Sequence, residues 1–259
     1  MFCFYFWLGL AWLGLAWLDK ELLDTQIPLD FPFTCKEVKN SIPAWKIHKK
    51  ESTDLILNEF IKYGSGVILK TLVKLFNKIL NVGVFPESWN LSLLSSIHKS
   101  DDPTDPDNYR GISVCSCMGK LFNRLLQKRL DNFLENNNLL SPNQTGFRKG
   151  FRTTDNIFIL KIVINKYLNR RNGKVFVCFV DFKKVFDSVW RQALLFKLLD
   201  KGIGRNFYKI IKHIYSNTKY SYKSSNFYSN PFMANSGVKQ GDNLTPHSSI
   251  SLLMTLQNI

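Results

Sequence analysis

The sequence predicts a helix-rich α+β domain, and three observations carry that prediction. From Thr53 onward, long stretches place apolar residues at the spacing of one helix face. Runs with strand character are few and short, at 91–97, 175–180 and 219–223. Gly, Asn and Pro clusters fall between these segments and mark where each ends.

Taken in order, Leu69, Leu72, Val73, Phe76, Ile79 and Leu80 trace the first long helix, which Asn81-Val82-Gly83 should stop. Pro86-Glu87-Ser88-Trp89 opens a short segment, and 91–97 follows as a strand. Residues 101–107, with Pro103 and Pro106, form a loop. Leu121, Phe122, Leu125, Leu126, Leu130, Phe133 and Leu134 give the next helix, ended by Asn136-Asn137-Asn138. Ser141 to Thr154 reads as a loop carrying Gly and Arg. Ile157, Leu160, Ile164, Tyr167 and Leu168 mark a further helix, stopped near Asn172-Gly173. Val175 to Val180 is a continuous apolar run, read as a buried strand that ends at Asp181, with Cys178 buried inside it. Helices at 190–200 and 206–215 come next, and 219–223 and 231–235 form a strand pair joined by a polar turn. The apolar helix faces are read as core.

The chain divides into an apolar extension, 1–18, a linker, 19–52, a domain, 53–246, and an aberrant tail, 247–259. The extension lacks a basic stretch ahead of its apolar run, repeats Gly-Leu-Ala-Trp-Leu in tandem, and is at the short end for a membrane span. A membrane anchor, a sticky extension and a misassigned start of the reading frame all fit it, and the tandem repeat favours the last. Lys and Arg number 35 against 20 Asp and Glu, a net charge of +15, which favours nucleic acid or an anionic membrane surface as partner. The 5 cysteines are irregularly spaced, as suits a reducing intracellular compartment, the nucleus or cytoplasm. Cys115-Ser116-Cys117 has no second ligand pair at zinc spacing.

Four segments carry chemistry. They are Ile97-His98-Lys99-Ser100 with 107–113; Ser141 to Gly150; Phe179 to Asp187; and Gly237 to Pro246, which contains Gln240-Gly241-Asp242. In this order and with these helices between them, the chain resembles the reverse transcriptase domain of non-LTR (LINE-like) retrotransposons over roughly 53–246. The resemblance implies a right-hand polymerase fold, with fingers and a partial palm and no thumb. It implies RNA-directed DNA polymerase activity on an RNA template, a DNA primer and deoxynucleoside triphosphates, with Mg²⁺ or Mn²⁺.

By that resemblance Asp181 is the first metal-binding and catalytic aspartate, and the backbone carbonyl of Phe182 helps hold the ion. Lys99 and Arg110 contact the incoming triphosphate, Phe186 lies under the nucleotide sugar, and Gln240 and Gly241 sit beside the template–nucleotide pair. Arg148 and Lys149, on a Gly-flanked loop, suit a phosphate backbone. Each residue also has an ordinary reading. Asp181 can cap a helix, and Phe186 can be core. Arg110 can pair with Asp105 or Asp107, and Asp187 is read as the N-cap of the following helix. Val185 stands where the family usually has alanine.

The family's next element, an aromatic-Ala-Asp-Asp hairpin, has no match here. No Asp or Glu follows Asp242, and the one Asp-Asp pair, Asp101-Asp102, lies upstream of the central strand. The chain is therefore expected not to extend a primer by itself, and its palm sheet to keep an open edge. Three alternatives stand beside the polymerase reading: a non-catalytic nucleic-acid-binding remnant, a membrane-associated protein led by 1–18, and a chain that does not fold stably because of that open edge.

Overall fold

The computed structural model describes residues 28–42, 52, 54–99, 101–181, 186–224 and 227–244. The extension 1–18, Phe182, Val185 and the tail 247–259 lie outside the described residues.

The first packed segment begins within the stretch read as linker. Helix α1 (Cys35–Lys39) starts at a reciprocal cap: Thr34 Oγ1 accepts from the Glu37 N–H at 3.2 Å, and Glu37 Oε2 accepts from the Thr34 N–H at 2.8 Å. Leu29, Phe33, Val38 and Ile42 enter the main core, so 28–42 is part of the domain and not a tether. Arg129, from a later helix, holds this segment in place. Its guanidinium bonds Glu37 and the carbonyls of Leu29, Phe31 and Pro32, and lies 4.0 Å over the Phe33 ring.

Helix α2 (Asn58–Val82) buries Ile61, Leu72, Phe76, Ile79 and Leu80, and stops where the sequence predicts. Gly83 takes a left-handed conformation, φ 75°, and its N–H donates to the Ile79 carbonyl. A short helix α3 (Glu87–Asn90) leads into β1 (Leu91–His98), which pairs antiparallel with β2 (Tyr109–Val114), Leu93 opposite Val114 and His98 opposite Tyr109. Helix α4 (Cys117–Asn136) starts at Ser116, whose hydroxyl accepts from the Gly119 N–H at 3.2 Å. Helices α5 (Thr153–Leu168), α6 (Arg191–Asp200) and α7 (Arg205–Ser216) follow. Strand β3 (Lys219–Ser224) then runs parallel to β1, and β4 (Phe227–Tyr228) and β5 (Phe232–Met233) each pair antiparallel with β3. The sheet order is β2-β1-β3-β4, with β5 also on β3.

The core is mainly helical, built from α2, α4, α6, α7 and the 28–42 segment. Its centre is Phe122, fully buried on α4, whose ring lies within 6.4 Å of those of Phe33, Phe76, Phe85 and Trp89. Such ring contacts add to the area that each aromatic buries.

Three expectations fail. The run Val175 to Val180 forms no strand: Phe176 is 92% exposed, Phe179 83%, and Cys178 is exposed. A strand is stabilised by ladder partners and a covered face, and no described strand pairs with this segment. The apolar face of α5 is not core either. The helix has no buried residue, and Ile157, Phe158, Ile162 and Leu168 are exposed, because no described element packs over them. Asp187 does not cap α6, whose N-cap position is Trp190 with no side-chain bond. Among the described residues no helix is long and apolar enough to cross a membrane.

The packing predicts a contrast. Phe122→Ala should lower unfolding stability by about 3–5 kcal/mol. Ile157→Ala, on the uncovered face of α5, should stay within about 0.5 kcal/mol. Urea titration of both variants checks this, and equal losses would contradict the burial pattern.

Candidate active site

The site is built around the loop that follows β5. Two backbone bonds tie this loop to the turn at 186–189: the Gly237 N–H donates to the Val189 carbonyl at 3.0 Å, and the Val238 N–H to the Phe186 carbonyl at 2.8 Å. A third ties it to β2, where the Ser113 N–H donates to the Gln240 carbonyl at 2.8 Å. Two glycines permit this approach. Gly237, φ 71°, would place a Cβ 2.7 Å from the Asp187 carbonyl oxygen, and Gly241, φ 113°, one 2.6 Å from that of Ser113.

Buried polar side chains fix the loop from inside. Lys239 is 4% exposed and donates from Nζ to the Asn90 carbonyl at 2.8 Å. Asp242 is 5% exposed, and its Oδ2 accepts from Asn123 Nδ2 at 2.7 Å. Burial pushes the Asp242 carboxyl above its ordinary value, while Lys239 and the Asn123 amide act the other way. Arg191, at the start of α6, gathers four carbonyls. Nε bonds Gly237 at 2.7 Å, Nη2 bonds Ser236 at 3.0 Å, and Nη1 bonds Tyr215 and Ala234.

Held this way, the loop brings Gln240 between two residues far away in sequence. Arg110 Nε donates to Gln240 Oε1 at 2.8 Å, and Gln240 Nε2 donates to Asp187 Oδ1 at 3.0 Å. Arg110 therefore has a side-chain partner 130 residues away, in Gln240. Phe186 is half-buried against the core beside this chain of bonds. Lys99 is exposed, and its N–H donates to the Asn108 carbonyl at 2.9 Å, extending the β1–β2 ladder beyond His98. Since Ile97 pairs with Arg110, strand alternation sets Lys99 and Arg110 on the same face.

The other expected residues that are described are Asp181, Arg148 and Lys149. Asp181 is exposed in irregular backbone. Arg148 is engaged internally: Nε and Nη2 bond Glu135 at 2.9 and 2.8 Å, and Nη1 bonds the carbonyls of Ser141 and Gln144. Its neighbour Lys149 is exposed. Among the described residues, no three His, Cys, Asp or Glu side chains group together to hold a metal. A hard cation takes about six oxygen ligands; Asp181 would supply one, and Phe182, expected to add its carbonyl, lies outside the described residues.

Sequence reasoning missed the anchors Arg191, Lys239, Asp242 and Asn123, and the link from Asp187 to Gln240. The signal for the loop pair was present: a Lys and an Asp three residues apart, flanking Gln240-Gly241 between apolar Val238 and Leu244.

Residues 97–258 match the family described as reverse transcriptase (RNA-dependent DNA polymerase), and that match runs through most of the stretch read as aberrant tail. The chain is 30% identical over 85% of its length to the RNA-directed DNA polymerase from mobile element jockey of Drosophila funebris. It is 29% identical over 87% to the jockey protein of Drosophila melanogaster. It is 28% identical over 86% to a protein named probable RNA-directed DNA polymerase from transposon BS, also of Drosophila melanogaster. The chain spans about a quarter of the length of these curated relatives.

The raised Asp242 carboxyl predicts a pH effect. The folded chain holds this proton more tightly than the unfolded chain, so stability falls as pH rises from the ordinary value, 3.8, through the folded one. Asp242→Asn keeps an acceptor for Asn123 and removes the slope. Relative to wild type, the variant should gain stability across that interval and level off above it. Urea titrations at successive pH values check this, and parallel profiles for the two proteins would count against it.

Proposed function

This chain belongs to the reverse transcriptase (RNA-dependent DNA polymerase) family, and from that premise we propose that it carries the fingers and part of the palm of an RNA-directed DNA polymerase from a non-LTR retrotransposon. The observation that carries this reading is the convergence of Arg110, Gln240, Gly241 and Phe186 on one loop, from three separate stretches of sequence. In this reading Lys99 and Arg110, on one face of the β1–β2 ladder, take the incoming triphosphate. Arg suits the role because its planar fork can hold two phosphate oxygens at once. Gly241, without a side chain, leaves room for the template–nucleotide pair, and Phe186 supports the sugar. The exposed Lys149 contacts a nucleic-acid backbone. Arg148 instead shapes the loop that presents it, through Glu135. An RNA template and a DNA primer place the work inside the cell, in the nucleus or cytoplasm.

In this family a divalent metal supplies charge neutralisation on the triphosphate and activation of the primer hydroxyl. Of the residues expected to hold it, Asp181 is described and Phe182 lies outside the described residues. A second reading rests on the sequence, in which no Asp or Glu follows Asp242: the chain on its own binds template, primer and triphosphate without joining nucleotides.

Two assays on the full chain test the proposal. RNA binding should weaken steeply with salt, and Lys149→Ala should lower the log–log salt slope by about 0.7–0.9. Binding without salt dependence would argue against any nucleic-acid role. Primer extension on an RNA template with Mg²⁺ or Mn²⁺ should give no product. Metal-dependent synthesis that disappears in Asp181→Ala would overturn the non-extending reading and leave the polymerase assignment stronger.

A further inference from the structure

An amide side chain has a donor end and an acceptor end, and its neighbours decide which way it faces. Gln240 has one neighbour of each kind. Arg110 can only donate, so it must meet Oε1, and it does so at 2.8 Å. An ionised Asp187 can only accept, so it must meet the NH₂ group, which it does at 3.0 Å. The two residues fix one orientation of Gln240 from opposite sides.

The position of Asp187 is itself set by backbone. The bonds from Gly237 to Val189 and from Val238 to Phe186 bracket it, and a Cβ on Gly237 would lie 2.9 Å from the Asp187 Cα. At the other end, the bond from Arg110 to Gln240 uses Nε. That leaves the paired Nη1 and Nη2 groups for a bidentate anion.

We propose that Asp187 is a positioning residue for polyphosphate binding: through Gln240 it holds the Arg110 guanidinium by its Nε edge, with both Nη groups presented to a phosphate. The inference rests on the reading of Arg110 as a triphosphate ligand and adds to it a residue that touches no ligand. It also makes a prediction of unusual sign. Asp187 is an exposed anion near a site for anions. Acting through charge alone, it would repel phosphate, and removing it would tighten binding. Acting through Gln240, its removal must weaken binding.

The test is calorimetric titration of the full chain with inorganic tripolyphosphate at low salt. Wild type should bind, and Arg110→Ala should lose most of the affinity. Asp187→Ala should bind about two- to tenfold more weakly, the loss expected for one hydrogen bond. Asp187→Asn, whose Oδ1 still accepts from Gln240, should remain close to wild type. In parallel, the Arg110 Nε–H resonance should exchange slowly in wild type and Asp187→Asn, and quickly in Asp187→Ala. Unchanged or tighter binding in both Asp187 variants overturns the positioning role and leaves Arg110 as a phosphate ligand. No binding by wild type removes the reading of Arg110 itself. An Arg110 resonance that is identical in all three proteins overturns the coupling through Gln240 whatever the titrations give.

Discussion

The loop from Gly237 to Asp242 is the constraint on which the rest of the site depends. It ties together the end of β2, the turn ahead of α6, and the buried face of α4. Each join is made by a group with little freedom. Backbone bonds at Phe186, Val189 and Ser113 set the path, and Gly237 and Gly241 occupy the positions where a Cβ would collide with a carbonyl. Lys239 and Asp242 then bury two charged side chains next to Gln240 and Gly241. Burying charge is costly unless it is hydrogen-bonded, and Lys239 Nζ and one oxygen of Asp242 each have a partner. An apolar pair at 239 and 242 could fill the same volume but would fix no direction. The polar pair selects one seating of the loop, and with it the place of the Gln240 amide.

Much of the helical frame was legible in the sequence. The α2 face, its stop at Gly83, and the Phe122-bearing face of α4 follow from period and punctuation, which local physics writes directly into the chain. The strands at 91–98 and 219–224 were legible for the same reason. Gln240, Gly241, Arg110 and Phe186 were legible only together, by resemblance, and their meeting point was not. Hydrogen bonds between residues 130 and 53 positions apart, such as Arg110–Gln240 and Asp187–Gln240, leave no periodic trace. Asp187 illustrates the difficulty. An aspartate shortly before a helix has an ordinary local use as a cap, and that local rule gives way to a tertiary partner.

Two failures share one cause. The run from Val175 to Val180 and the apolar face of α5 both have the composition of buried elements, and both are exposed. Periodicity identifies the surface that needs cover, whereas cover depends on a second element. Helix α5 still forms, because its backbone bonds are internal. A strand cannot form alone, since its backbone bonds lie in a neighbour. That difference explains why one segment keeps its secondary structure and the other does not. It also bears on Asp181, which the sequence places at the end of a strand and which stands here in irregular backbone.

Net charge is a similarly coarse guide until its carriers are sorted. The chain carries +15, but several of its cations are committed internally. Arg129 pins the 28–42 segment, Arg148 closes a loop on Glu135, Arg191 gathers carbonyls, and Lys239 is buried beneath the site. These four shape the protein and contribute little to attraction at its surface. The cations left for a polyanion include Lys99, Lys149, the outer edge of Arg110, and Lys70, Lys74 and Lys78 on the exposed face of α2. Arg148 and Lys149 make the distinction sharpest, since adjacent residues of the same charge do different work. The Arg is planar and multidentate, and serves as an internal brace. The Lys is flexible and hydrated, and remains free to meet phosphate.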